Sequence, residues 1–128
     1  MSNNRMDPTT VIRNLLPLAL LFVLIDIPWL WFNGTASQEM FKKIQGGLPL
    51  RIRWEGVAPV YIALAYIVQQ TRSTTEAFLM GLSTYAVYDF TNYSTLTNYR
   101  LDFAVADSIW GGVLFTLVRS ASIWLNLL

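Results

Sequence analysis

Four apolar segments, at about residues 12–32, 54–70, 75–93 and 103–125, restrict the fold more than anything else in the chain. An apolar stretch of roughly 17 to 25 residues is long enough to cross the hydrocarbon core of a bilayer as a helix. Inside that core every backbone amide and carbonyl must find its partner within the protein, so spans of this kind are helical. The expected fold is all-α: a polytopic membrane protein whose four transmembrane helices form a compact bundle, one domain over residues 1–128. A content of 54% hydrophobic and 13% charged residues agrees, being far from that of an ordinary soluble domain.

Local signals set the helix limits. Asp7-Pro8 supplies an N-cap and a proline at the first helical position, so the first helix should begin before its apolar part, and Pro17 and Pro28 should bend it. A signal peptide is the competing reading of this run, because Gly34-Thr35-Ala36 resembles a cleavage site. The length of the run, Asp26 and two tryptophans count against it. Residues 33–53 are the longest polar interruption. They are expected to hold a short amphipathic surface helix presenting Met40, Phe41 and Ile44, ended by Gly46-Gly47 and Pro49. The second span starts near Trp54, after Arg51 and Arg53, and is close to the lower length limit for crossing. Ser73-Thr74-Thr75-Glu76 fits a capping box for the third helix, and Asp102 an N-cap for the fourth.

Three of these spans carry an aspartate: Asp26, Asp89 and Asp107. A carboxylate at the centre of a membrane helix costs about 2.5–3.5 kcal/mol on insertion scales and is kept mainly where it has a function. If the loop 33–53 is placed on side B, odd-numbered helices exit where even-numbered ones enter. At about 1.5 Å per residue the three aspartates then share one layer, roughly 6–9 Å below the side-B boundary. Glu55 enters the second helix on the same side. Tyr85, Asp89 and Asn92 form one stripe on the third helix, and Asp107 shares a face with Trp110 and Gly111. Ser108 and Gly112 form a small-xxx-small pair suited to close helix approach.

The candidate proton- or ligand-binding set is therefore Asp26, Asp89, Asn92, Asp107, Tyr85, Trp110 and Glu55, with at least one aspartate expected to keep its proton at neutral pH. Each has a plainer reading. An intramembrane aspartate can serve only to lock helix packing, and Asn92 can do the same. Glu55 suits a surface ion pair with Arg51 or Arg53, and Trp29, Trp31, Trp54 and Trp124 suit interfacial anchors.

Tyr88-Asp89-Phe90-Thr91-Asn92, then Thr95-Leu96, then Asp107 with Trp110-Gly111 follow the pattern Y-D-x-T-N-x-x-T-L and D-x-x-W-G, and Asp26 to Leu30 follows D-x-x-W-L. In these motifs the chain resembles a family of small four-helix integral membrane proteins of unknown function, found in bacteria and in some large DNA viruses. Tyr99 departs from the pattern, standing where a tryptophan is expected. The resemblance covers helices 1, 3 and 4; it implies a topology and a site and brings no activity.

The absence of cysteine and histidine removes thiol and imidazole chemistry and the common zinc motifs, and no metal or cofactor is expected. A net charge of +1 without basic runs excludes a nucleic-acid partner, and no phosphate-binding glycine loop is present. The expected partners are membrane lipids and a second copy of the chain or another membrane protein. Three function classes remain: binding and transport of a proton, cation or small polar ligand; a structural or assembly subunit; and, less well supported, a lipid-modifying enzyme. The cationic residues divide five to four between side B (Lys42, Lys43, Arg51, Arg53, Arg100) and side A (Arg5, Arg13, Arg72, Arg119), and the dense side-B loop favours a cytoplasmic side B. Asn33-Gly34-Thr35 matches a glycosylation acceptor but abuts the membrane.

Overall fold

The structure, a computed structural model, describes residues 7–128; Arg5, assigned to side A, lies outside them. Among these residues there are four helices and no strand: α1 (Pro8–Ile44), α2 (Trp54–Gln69), α3 (Thr74–Thr95) and α4 (Leu101–Trp124). The four apolar segments fall within them. α1 and α4 are long and apolar enough to cross a membrane.

The largest departure from expectation is in α1. Residues 34–44 are helical, but they continue α1 rather than forming a separate surface helix. Gly34 in a helix interior costs only about 1 kcal/mol relative to alanine, too little to end a helix that Thr35 to Ile44 extend. Chain reversal comes at Gly46 and Gly47, whose φ angles of 66° and 97° suit glycine. The helix also runs on through Pro17 and Pro28.

The caps differ in detail. Asp7 and Pro8 start α1 as expected, yet the Asp7 side chain makes no capping bond. The Ser73 hydroxyl accepts from the Glu76 amide at 3.0 Å, while the Glu76 carboxylate accepts from the Arg72 amide, one residue outside the expected box. Asp102 lies inside the first turn of α4, one residue past the helix start, where its carboxylate accepts from the Phe103 amide and from the Arg100 guanidinium.

The helices alternate in direction. At one end Asn14 of α1 donates to the Leu127 carbonyl at 2.9 Å, Gln69 of α2 to the Val11 carbonyl, and Arg119 of α4 to the Thr71 carbonyl at 2.6 Å. At the other end Met40 of α1 packs with Tyr99 and with Ala104 of α4. These ends are sides A and B of the sequence reading. The main core fills the side-A half: Leu18, Phe22, Leu64, Ala65, Val68, Ala77, Leu114, Phe115 and Val118, with the Phe22 and Phe115 rings edge to face at 5.2 Å.

α3 and α4 make the most intimate pair, and glycine is the reason. A methyl group added at Gly111 would lie 2.6 Å from the Gly81 carbonyl oxygen, and one at Gly112 would lie 2.7 Å from the Phe78 ring. Several hydroxyls on both helices bond to carbonyls one turn back, among them Thr84 to Met80, Ser108 to Ala104 and Ser122 to Val118. The outer surface is the reverse of a soluble protein's. Ile12, Leu16, Leu20, Leu24, Ile27 and Leu30 form one continuous stripe along α1, each between 49% and 68% exposed. Such a stripe has lipid as its natural partner.

Candidate functional site

α1 and α4 each carry the sequence Asp-x-x-Trp, at Asp26 to Trp29 and at Asp107 to Trp110. Because the helices are antiparallel, the two motifs meet head to tail. The Trp110 indole donates to Asp26 Oδ1 at 2.7 Å, and the Trp29 indole donates to Asp107 Oδ1 at 3.0 Å. Between the two bonds the indole rings stack, with centroids 5.3 Å apart and planes 7° from parallel. The residue numbers of the bonded partners have the same sum in both pairs, as a constant antiparallel register requires. A local two-fold relation thus holds two acidic groups in one layer.

Each aspartate draws a phenol or an indole. Asp26 Oδ2 accepts from the Tyr61 hydroxyl of α2 at 2.6 Å, so both of its oxygens are satisfied. Asp89, on α3, is fully buried; its Oδ1 accepts from the Tyr99 hydroxyl at 2.6 Å, and its Oδ2 is buried without a partner. The side chain next to that Asp89 carboxyl is Asp107. Tyr99 lies between α3 and α4, where burial and the bond to Asp89 hold its phenol above the ordinary range, so it is a neutral donor at any physiological pH. The three aspartates have no cationic partner among the described residues, where the one ion pair joins Arg100 to Asp102.

A cleft of about 460 Å³ opens beside this layer. Asp26 and Asp107 lie on its wall with Trp29, Tyr85, Tyr88 and Phe103. Toward side A lies the main core, with Phe22, Val68, Leu114 and Phe115 fully buried. Its chemistry is two acceptors among aromatic faces, a combination suited to a cation carrying apolar surface.

Of the residues singled out in the sequence, Asp26, Asp107, Asp89, Tyr85 and Trp110 come together. Tyr85 lies among all three aspartates with its ring against Gly111. Asn92 stands beside the Tyr88 and Tyr99 hydroxyls and does not reach the cleft. Glu55 is exposed in the first turn of α2, outside the site, and it makes no ion pair with Arg51 or Arg53. Holding two long side chains together at a wetted boundary costs more entropy than the pair returns. Trp29 is no surface anchor; it is bonded to Asp107. Ser108 and Gly112 are both buried, and Gly111 joins them in the close approach to α3.

Sequence reasoning passed over Tyr61 and the Trp29 bond. Tyr61 lies seven positions into α2, roughly 10 Å below side B at 1.5 Å per residue, within about an ångström or two of the aspartate layer. The signal for Trp29 was the repeat of Asp-x-x-Trp on two antiparallel helices.

A sequence profile described as predicted membrane protein (DUF2177) matches residues 11–124. The chain belongs to this family. The matched span takes in the apolar part of each helix and every residue of the site, so for this DUF2177 member the outward apolar stripe of α1 has its explanation in lipid. No curated protein and no solved structure matches the chain. The DUF2177 description carries a location and no reaction.

Proposed function

We propose that all four helices cross the membrane and that the protein binds a small organic cation in the cleft, between Asp26 and Asp107. The supporting observation is charge without a counter-charge: two nearly buried carboxyl groups, 4% and 9% exposed, face an aromatic cleft and have no lysine or arginine partner among the described residues. Uncompensated carboxylates in such a place are costly, and a cation bearing apolar groups removes the cost while its body covers the rings. The ligand reaches the site from side B or from the lipid beside α2 and α3, whose residues Val60, Leu64, Thr84 and Tyr88 line the cleft. Transport would require the plug around Phe22 and Phe115 to move, so binding from one side is the primary reading.

A structural role is the second reading, favoured by the two satisfied oxygens of Asp26 and by the crossed indole bonds that tie α1 to α4. Calorimetry in lipid nanodiscs with benzyltrimethylammonium as the probe distinguishes the two. Cation binding predicts a saturable signal that Asp107→Asn weakens tenfold or more while the helical content stays unchanged. No saturable binding in the wild type, or binding indifferent to Asp107→Asn, overturns the cation reading and leaves the structural one.

A further inference from the structure

The cation reading leaves one group unexplained. Asp89 is fully buried and does not line the cleft, yet its Oδ2 has no donor, and its neighbour Asp107 has one oxygen bonded to Trp29. A buried acceptor without a partner costs about 1–3 kcal/mol, and more when it is charged. Two ionised carboxylates side by side in an apolar interior add repulsion to that cost. A single proton between them removes both penalties, because a carboxyl hydroxyl on one is a donor to the other.

Among the described residues, the charged and titratable groups facing the pair supply no alternative. α1 contributes Asp26, α2 contributes Tyr61, α3 contributes Tyr85 and Tyr88, and the α3–α4 connection contributes Tyr99. All are acids or neutral phenols. Arg100, adjacent in sequence to Tyr99, is exposed and engaged with Asp102.

We propose that Asp89 and Asp107 share one proton, and that a cation entering the cleft beside Asp107 expels it to the side-B solution. The exchange rests on the cation reading above; the shared proton rests only on the orphaned oxygen and the Asp107 carboxyl beside it. Charge balances: the empty pair holds one proton and one negative charge, and the occupied pair holds two negative charges with one positive ligand beside them. Asp107 is the common member, facing the ligand on one side and Asp89 on the other. Asp89 is then a positioning and proton-holding residue that never touches the ligand.

Benzyltrimethylammonium makes the test clean, since it has no proton of its own to release. In weakly buffered nanodiscs, wild-type protein should release about one proton per cation bound, and affinity should rise about tenfold per pH unit where the pair is protonated. In Asp89→Asn the amide can accept from Tyr99 and donate to Asp107 in place of the shared proton. That variant should bind the cation with no proton release and no pH slope. Infrared spectra of ligand-free wild type should show a buried protonated carboxyl band that shifts in heavy water and disappears on adding the cation. The wild-type readouts need no variant, so misfolding of Asp89→Asn would not protect the idea. Absence of the carboxyl band overturns the proposal whether or not the cation binds. Binding without proton release overturns the exchange, and a band without any binding removes the cation reading and the exchange while supporting the shared proton.

Discussion

Replacing Trp110 by phenylalanine removes one bond of the crossed pair and keeps an aromatic ring in the stack. The lost donor is an indole N–H 2.7 Å from Asp26 Oδ1, on a residue only 4% exposed, so water cannot readily replace it. A hydrogen bond to a charged group is worth about 1.5–3 kcal/mol in soluble proteins. Within membranes measured side-chain bonds average about 0.6 kcal/mol and reach about 1.7, because the unfolded chain in the bilayer also finds partners. The short distance and deep burial place this bond near the upper end, at about 1–1.5 kcal/mol. Equilibrium unfolding in mixed micelles, followed by circular dichroism, supplies the free energies. A double-mutant cycle of Trp110→Phe with Asp26→Ala isolates the pair, since the cavity left by alanine and the orphaned Tyr61 hydroxyl occur on both legs and cancel. Trp31→Phe, at a residue 85% exposed, is the control and should be nearly silent. A coupling energy within about 0.3 kcal/mol of zero would falsify the view that the crossed bonds hold α1 to α4.

Other expectations follow from the same contacts. Gly81→Ala should destabilise by about 1–3 kcal/mol, since its methyl group would meet Phe115 Cβ at 2.7 Å, whereas Gly34→Ala, with open space around it, should stabilise by about 0.5–1 kcal/mol; opposite signs in one unfolding assay check this, and equal effects contradict the packing. Tyr99→Phe strips Asp89 of its one donor and should cost about 1–2 kcal/mol, with the unfolding midpoint as readout and an unchanged midpoint as the contrary result. The chain has no cysteine, so single cysteines introduced at Gln45, Ser73, Asn98 and Asn126 can report the four-span topology. A membrane-impermeant maleimide applied to sealed vesicles should label positions 45 and 98 from one side and positions 73 and 126 from the other; labelling of all four from one side rules out four crossings.

Depth was legible in the sequence and partnership was not. Alternating spans at a fixed rise per residue set Asp26, Asp89 and Asp107 in one layer without knowledge of packing, since depth depends only on counting along each helix. Rotation about the helix axis is different, because it decides which side chain faces which neighbour and depends on how the helices pack. Tyr61 and Trp29 were overlooked for that reason: an indole or phenol near a boundary reads equally well as an anchor or as a donor. The continuity of α1 through Gly34 was hidden for a thermodynamic reason, since a glycine cost of about 1 kcal/mol is visible in the sequence while the packing of Met40 against Tyr99 and Ala104 that opposes it is not.

The two Asp-x-x-Trp motifs also suggest how a site could open. Each aspartate is held by a donor from the opposite helix, so displacing α1 along α4 breaks both indole bonds together, and the stacked rings leave register with them. α4 is fixed to α3 by the close approach of Gly81 and Gly111, and Tyr99 ties Asp89 to the connection between those helices. α1 and α2 make fewer contacts with α3, and the cleft opens along that seam. The helical pairs α1–α2 and α3–α4 are therefore the natural rigid halves, with Asp26 on one and the Asp89–Asp107 pair on the other. A cation bound between Asp26 and Asp107 would bridge the halves, and its occupancy would substitute for the indole bonds as the force holding them together. Binding measured with Trp29→Phe then discriminates: if the ligand and the indole compete for Asp107, losing the indole strengthens binding, and if the indole only orients the carboxylate, losing it weakens binding.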